Sequence, residues 1–354
     1  MPRELKIDGM AVNDDSRCYV IAEIGHNHQG DVDKCKELFD AAKSCGADAV
    51  KLQKRDNRSL FTRVMYASPY NSDHAFGDTY GQHREALEFG RDEYIELMAY
   101  ADEIGITFFS TAFDIASADF LAELDVPAYK IASGDLRSIP LLRHVASIGK
   151  PMIISTGGGT LEDVRRAYDA IMPINDQLCI MQCTAGYPPE FSELNLRVIE
   201  TYRETFPDTV IGFSSHDSGI AMPLVAYMLG ARMVEKHFTL NRTMKGSDHA
   251  FSLEPTGLRK LVRDLNRTVD SLGDGVKRVY PSEEKPLYKM GKKLVAARDL
   301  PAGTVITEED IVLKTPNDGL SPLHYDDLIG RRLVSPMKAD ESFAIENTVA
   351  ASAA

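Results

Sequence analysis

The chain has 354 residues, 44% hydrophobic and 26% charged, with a formal net charge of −13. Those proportions are ordinary for globular protein, the length suits one large and one small domain, and the acidic balance argues against nucleic acid as a partner without excluding an anionic substrate in a locally cationic pocket. The apolar runs fall well short of the roughly 18 residues of a membrane helix, and MPRELKIDGMAVNDDSR lacks the apolar core of a secretory leader, so a cytoplasmic protein with no membrane partner is expected.

Eight short apolar runs follow, each ending in polar or ionisable residues. The first is CYVIAEIG, with Glu23 near its end, and the helical pattern VDKCKELFDAAKSC comes next, stopping at Gly46 as a C-terminal cap would. DAVKLQ brings Lys51 and Gln53. Residues 54–91 are too long and polar for an ordinary connection and carry Tyr66, Tyr70, Tyr80, His74 and His83, the composition of a lid or binding loop. A helical stretch over 92–103 leads to ITFFSTA with Ser110 and Thr111, and a second over 117–124 leads to PAYKIAS with Lys130 and Ser133. PMIIST brings Ser155 and Thr156, and Thr160 with Asp163 forms a capping-box pattern opening the next helix. LCIMQCT, VIGFSSH and RMVEKHF complete the set with Gln182 and Thr184, Ser215 and His216, and Glu235 and His237.

Continuous apolar runs alternating with helices read as parallel strands buried on both faces. Eight of them predict an α/β fold, a (β/α)8 TIM barrel, with the strand-end residues converging on the catalytic mouth. After a last helix over 258–272, KRVYPSEEKPLYKMG reads as a linker, and the remainder alternates short apolar pieces with Pro-Ala-Gly and Asn-Asp-Gly turns. The expected division is a barrel over 1–280, a linker over 281–290 and a small mostly-β module over 291–354. A module of roughly 60 residues has a meagre core and is marginal by itself.

Two sets of strand-end residues carry chemistry. His216 and His237, on neighbouring strands, can share a divalent ion with open positions or serve as hydrogen-bonding groups in a polar mouth. Glu235 shares the face of His237 and can orient a ligand or pair with a lysine. Lys51, Lys130, Ser133, Ser155 and Ser215, with the Gly157-Gly158-Gly159 turn, form an anion-binding set; a Schiff-base role for Lys51 or Lys130 is the rival reading. Glu23 is a carboxylate able to move a proton or to pair with Lys51 or Lys130.

IAEIGHNHQG (21–30), KLQ (51–53), STAFD (110–114), YKIASGD (129–135), STGG (155–158), QCTAGYP (182–188), GFSSHD (212–217), EKHFTL (235–240) and KGSDHAFSLEP (245–255) together resemble the sialic acid synthase family. KLVAARDLPAGTVITEEDI (293–311) resembles the antifreeze-like (SAF) module that follows the barrel in that family. The resemblance implies condensation of phosphoenolpyruvate with N-acetylmannosamine, its 6-phosphate, or a diacetamido relative as in legionaminic or pseudaminic acid synthesis. It implies Mn2+ or Mg2+ on His216 and His237; phosphoenolpyruvate on Lys51, Lys130, Ser133, Ser155 and Ser215; and the sugar on Gln53, Thr111, Asp135, Tyr187 and Asp248, with Glu23 a proton-transfer group. It also implies a domain-swapped homodimer. A metal-free Schiff-base aldolase on the same barrel is the competing enzyme class.

Three positions depart from the family pattern. Asp135 stands where many relatives carry Glu, Ala185 where bacterial relatives often carry Asn, and Thr315 where free-sugar bacterial enzymes present Arg. Meanwhile YGQHREALEF (80–89), NLRVIETY (195–202) and KGSDH look closer to the animal-type synthases that accept a 6-phosphate sugar, with Lys54, Arg55, Arg58 and Lys245 as candidate cations for that phosphate.

Overall fold

A computed structural model describes residues 3–351 of the chain. It opens with an antiparallel hairpin, β1 (Glu4–Ile7) and β2 (Met10–Asn13), absent from the sequence-based expectation. Asp8 and Gly9 at its tip have φ of 47° and 81°, the mirror-image turn that an Asp-Gly pair favours between twisted strands. Eight parallel strands follow: β3 (Tyr19–Gly25), β4 (Ala49–Lys54), β5 (Thr107–Ala112), β6 (Tyr129–Ile131), β7 (Met152–Ser155), β8 (Leu178–Cys183), β9 (Val210–Ser215) and β10 (Met233–His237). They close into the expected barrel, β10 bonding back to β3.

Side chains of successive strand residues point to opposite faces, and this barrel uses the alternation in two ways. Outward residues such as Val20, Val50, Ile131, Ile154, Ile180, Phe213 and Val234 pack under the surrounding helices. Inward residues low in the barrel, including Ile21, Ala49, Phe109, Ile153, Met181, Val210 and Met233, form a second apolar cluster, completed by Leu5, Ile7 and Val12 of the hairpin. The hairpin thus buries its apolar face against the barrel floor, each such Leu or Ile contributing about 1.5–3 kcal/mol. Two or four positions further along each strand, the inward residues become Glu23, Lys51, Gln53, Thr111, Lys130, Ser155, Ser214, Glu235 and His237.

Helices at Val32–Ser44, Arg91–Ile104, Ile115–Glu123 and Pro255–Leu272 agree in place with the sequence pattern. Asp31 caps the first of them, accepting from Lys34 N, and Thr160 with Asp163 makes the capping box of Leu161–Ile171. The long segment after β4 folds into short helices at Asn57–Leu60, Arg63–Ala67 and Tyr80–Glu85. No helix among the described residues is long and apolar enough to cross a membrane.

The chain divides into compact units Met1–Gly273 and Asp274–Ala354, an earlier boundary than the expected 280. The stretch 281–290, expected as a linker, forms a tight turn at Pro281–Glu283 and a helix at Glu284–Met290, and Tyr288 O accepts from Asn317 N at 2.9 Å. Its prolines sit at the starts of these helical turns, where a missing N–H costs nothing. The second unit also holds two antiparallel pairs, β11 (Lys293–Ala296) with β12 (Ile311–Lys314) and β13 (Arg331–Leu333) with β14 (Thr348–Ala350), and a short helix at Tyr325–Leu328. Its small core gathers Leu294, Leu300, Ile306, Leu328, Leu333, Met337 and Phe343.

Candidate active site

The polar strand ends enclose a cavity of about 650 Å³ at the barrel mouth. Its centre is a buried network of opposite charges. Lys51 Nζ lies 2.6 Å from Glu23 Oε2 and 3.7 Å from Glu235 Oε1, and donates to Thr111 Oγ1 at 2.7 Å. Glu23 Oε1 accepts from Gln53 Nε2 at 2.7 Å. Lys130 Nζ donates to Ser155 Oγ at 2.6 Å and stands 3.8 Å from Glu235 Oε1. Next to that pair, Ser133 Oγ accepts from Gly157 N at 3.0 Å. A side chain at 157 would press on Ser133 Oγ at 2.8 Å and Ala185 Cβ at 2.9 Å, so this close approach requires glycine.

Charges buried this deeply divide protons unequally. Burial pushes Glu23 up to about 7, with Glu235 adding to the rise and Lys51 and Gln53 opposing it. Burial acts upward on Glu235 too, but Lys130, Lys51 and the two histidines hold it below the ordinary glutamate value. Burial, reinforced by Lys51, lowers the Lys130 ammonium. Of the two carboxyls, Glu23 is therefore the one that exchanges a proton near neutrality.

His216 and His237 face each other with ring centroids 5.2 Å apart, and Phe251 meets both edge-on at 5.8 and 5.0 Å. Burial first, and then each other's proximity, brings His216 down to about 3; burial likewise lowers His237 against the pull of Asp248 and Glu235. His216 Nδ1 meets Thr184 O at 3.1 Å, which leaves Nε2 for another partner. His237 Nδ1 and Glu235 Oε2 are buried with no hydrogen-bond partner, an arrangement that is costly unless something completes it. Two neutral imidazoles with free nitrogens beside an unsatisfied carboxylate oxygen fit a divalent cation that keeps open positions. Among the described residues there is no group of three or more ligating side chains, so the rest of such an ion's shell is left to substrate or water.

At the β3–β4 rim the charges are arranged differently. Arg55 stacks on Phe113 with its guanidinium carbon 3.7 Å from the ring centroid and donates to Gln53 Oε1 at 2.7 Å. Its Nη1 meets His26 Nε2 at 3.1 Å, and Arg84 Nη1 meets His26 Nδ1 at 3.3 Å.

The mouth thus brings together Glu23, Lys51, Gln53, Thr111, Lys130, Ser133, Ser155, Tyr187, His216, Glu235, His237 and Asp248. Two expected site residues lie elsewhere. Ser215 points outward from β9, where its hydroxyl bonds Asp217 and accepts from Lys236 Nζ at 3.1 Å; Ser214, in register with Glu235, is the serine on the inner face. Counting back by two from His216 would have found it. Asp135 turns into its own loop, accepting from Ser138 Oγ at 2.9 Å. Of the candidate phosphate cations, only Arg55 lines the cavity. Lys54 faces the helices, paired with Glu88 at 3.2 Å and bonded to Phe89 O at 2.7 Å. Arg58 lies over Tyr66 and near Glu85, and Lys245 over Phe76. His26, Arg84 and Phe251 went unmarked although each lies inside a quoted motif. The polar loop around Tyr80 signalled Arg84 by position alone.

Family models match the two units separately, the NeuB family over residues 38–277 and the SAF domain over 293–345. The chain is 40% identical to the N-acetylneuraminate-9-phosphate synthase of Homo sapiens, over 98% of this chain and 97% of that protein. It is 35% identical to the N,N'-diacetyllegionaminic acid synthase of Legionella pneumophila, over 97% and 98% respectively. The crystal structure of N-acetylneuraminic acid synthetase from Leptospira borgpetersenii in complex with citrate aligns with a TM-score of 0.70 at 29% identity, over 81% of this chain and 95% of that one. With the barrel, its charged mouth and near full-length relatives in agreement, the chain belongs to the NeuB family of sialic acid synthase-type enzymes.

Proposed function

We propose that the enzyme condenses phosphoenolpyruvate with N-acetylmannosamine 6-phosphate, releasing N-acetylneuraminate 9-phosphate and inorganic phosphate. The observation that carries this reading is the pairing, in one cavity, of a lysine-serine anion site (Lys51, Lys130, Ser133, Ser155) with two neutral, incompletely bonded histidines. The 6-phosphate acceptor is favoured over the free sugar by the 40% identity to a synthase whose product is the 9-phosphate.

Phosphoenolpyruvate would lie with its phosphate and carboxylate against the lysines and serines, where buried cations stabilise an anion far better than water-exposed ones. Its C3 attacks the aldehyde carbon C1 of the open-chain sugar, forming the new C–C bond and leaving C2 electron-poor. Water adds to C2, and the C2–O bond to phosphate then breaks, so phosphate leaves with that electron pair and the 2-keto group forms. A divalent ion on His216 and His237, manganese or magnesium, would supply Lewis-acid polarisation of the aldehyde oxygen. Glu23, bonded to Lys51 and Gln53, takes the proton that the attacking water gives up. The same reading proposes a cytoplasmic homodimer.

The test is phosphate release from phosphoenolpyruvate with Mn2+ and either N-acetylmannosamine 6-phosphate, the free sugar or a diacetamido sugar. The phosphorylated sugar should be preferred. EDTA, or His216→Ala, should lower turnover by about three powers of ten, the several kcal/mol that metal polarisation contributes. No phosphate release with any of the three sugars, together with metal-free cleavage of a sialic-type acid that borohydride traps, would instead mark a Schiff-base aldolase.

A further inference from the structure

We propose that Arg55, His26 and Arg84 form the subsite for a phosphate monoester at the far end of the acceptor sugar, and so set the choice of a phosphorylated over a free substrate; this rests on the synthase reading above.

Elsewhere among the described residues, buried cations meet carboxylates: Lys51 meets Glu23, Lys54 meets Glu88, and Lys236 meets Asp217 at 3.2 Å. Arg55 is only 7% exposed, yet its side chain bonds Gln53 and His26 and no carboxylate. Arg84 bonds the Tyr80 hydroxyl at 2.9 Å and meets His26. A buried guanidinium without a counter-charge is expensive to keep. A second guanidinium, that of the half-buried Arg84, against the same imidazole creates a further conflict. Neutral imidazole has one N–H and one lone pair, and guanidinium only donates. His26 can therefore accept from one arginine, while its other nitrogen sets N–H against N–H. Protonation does not relieve this, because burial and the two arginines hold His26 well below its usual value.

An anion resolves both problems together. Its oxygens accept from the two guanidinium forks and from the imidazole N–H, and a phosphate monoester of about −1.5 to −2 balances the two positive charges. Phe113 fixes the plane of Arg55, and Tyr80 anchors Arg84, so little side-chain freedom remains to be lost on binding. The strongest acidic influence on Arg55 is Glu88, whose carboxylate accepts from Arg55 N at 2.9 Å but pairs its charge with Lys54; Asp248, which lines the same cavity, acts more weakly.

Position agrees with charge. Three of the four phosphoenolpyruvate residues, Lys130, Ser133 and Ser155, lie on or just after β6 and β7, with Lys51 reaching toward them from inside β4, while Arg55 follows the end of β4 and His26 the end of β3, at the rim across the ring. An acceptor whose C1 meets phosphoenolpyruvate beside the histidines of β9 and β10 can extend its far end toward that rim. Phosphoenolpyruvate's own phosphate is the alternative source of the anion, and the assay separates the two.

Binding of N-acetylmannosaminitol and of its 6-phosphate, unreactive because C1 is reduced, can be measured by calorimetry on the full-length protein. The phosphorylated alditol should bind at least about tenfold more tightly, as charge-assisted hydrogen bonds imply. Arg84→Gln should erase the preference while leaving affinity for the free alditol and KM for phosphoenolpyruvate within about twofold. Arg55→Lys, which keeps a cation but loses the fork, should retain part of the preference and serves if Arg84→Gln fails to fold. Arg58→Ala should keep all of it. Equal affinity for the two alditols in the unmodified enzyme overturns the subsite, as does a preference untouched by Arg84→Gln and Arg55→Lys, or a loss that appears instead in KM for phosphoenolpyruvate. A preference lost in Arg84→Gln, from an enzyme that condenses neither sugar, would sink the synthase reading and leave the subsite standing.

Discussion

Two sides of one mouth treat buried charge in opposite ways. Around Lys51, Lys130, Glu23 and Glu235 each charge has its opposite within 4 Å; at Arg55 and Arg84 two cations share a neutral imidazole. A compensated network supports itself without substrate and shifts its protons when substrate arrives. An uncompensated pair depends on the substrate for its counter-charge. The proposed reading gives chemistry to the first arrangement and recognition to the second, and on it changes to the compensated side should strike catalysis and folding together.

Glu23 should be the most sensitive position. As the proposed base for the water adding at C2 it must be ionised, so kcat/KM should rise as pH passes through about 7. Glu23→Gln should remove that limb and cost about two to four powers of ten in kcat. The shift also has a stability consequence. Between the ordinary 4.5 and the folded value of about 7, the folded chain keeps a proton that the unfolded chain has lost. Stability should therefore fall as pH rises across that window, and Glu23→Gln should flatten the slope in denaturant titrations. An unchanged pH–rate profile in Glu23→Gln would give the proton to another group.

Lys51→Met tests compensation directly. Removing the ammonium leaves Glu23 and Glu235 facing each other at the bottom of the cavity, and breaking a buried ion pair from one side costs about 3–5 kcal/mol. Chemical denaturation should show that loss in full only above neutral pH and a partial recovery as pH falls toward neutrality, because without the ammonium that opposes its rise Glu23 holds its proton above about 7. A loss below 1 kcal/mol would mean that the network contributes little to holding the barrel.

Much of this was legible in the sequence because a buried parallel strand and a catalytic strand end contrast sharply. MVEKH moves from apolar to charged within one strand, and the same transition at Glu23, Lys51 and Lys130 marked the mouth without any tertiary information. Facing was harder to read. In SSH and EKH both parities offer polar residues, so Ser214 and Glu235 are told from Ser215 and Lys236 only by counting in twos from the histidines, which the register of β9 with β10 bears out. Lys54 and Arg55 are adjacent cations, yet one runs under the helices to Glu88 and the other into the mouth. The hairpin at 4–13 was missed despite its Asp-Gly turn because each strand has only four residues and gains its stability from the barrel floor. Arg84 and His26 come together only through the fold of the segment after β4, which has no strand periodicity to reveal it.

The smallest expected effect falls on the two adjacent serines. Ser214 Oγ stands 3.4 Å from Glu235 Oε1 on the inner wall, within the shell where the phosphoenolpyruvate anion would lie. Ser214→Ala should raise KM for phosphoenolpyruvate about tenfold, the value of one hydrogen bond to a charged group, with little change in melting temperature. Ser215 belongs instead to an outer cluster in which Lys236 and Asp217 remain paired without it. Ser215→Ala should leave KM within about twofold and remove about 1 kcal/mol of stability, since the lysine and aspartate lose one shared hydroxyl but keep each other. The reverse pattern, with KM moved by Ser215→Ala and untouched by Ser214→Ala, would require β9 to present its other face to the mouth, and would shift the inner wall by one residue along the strand that carries His216.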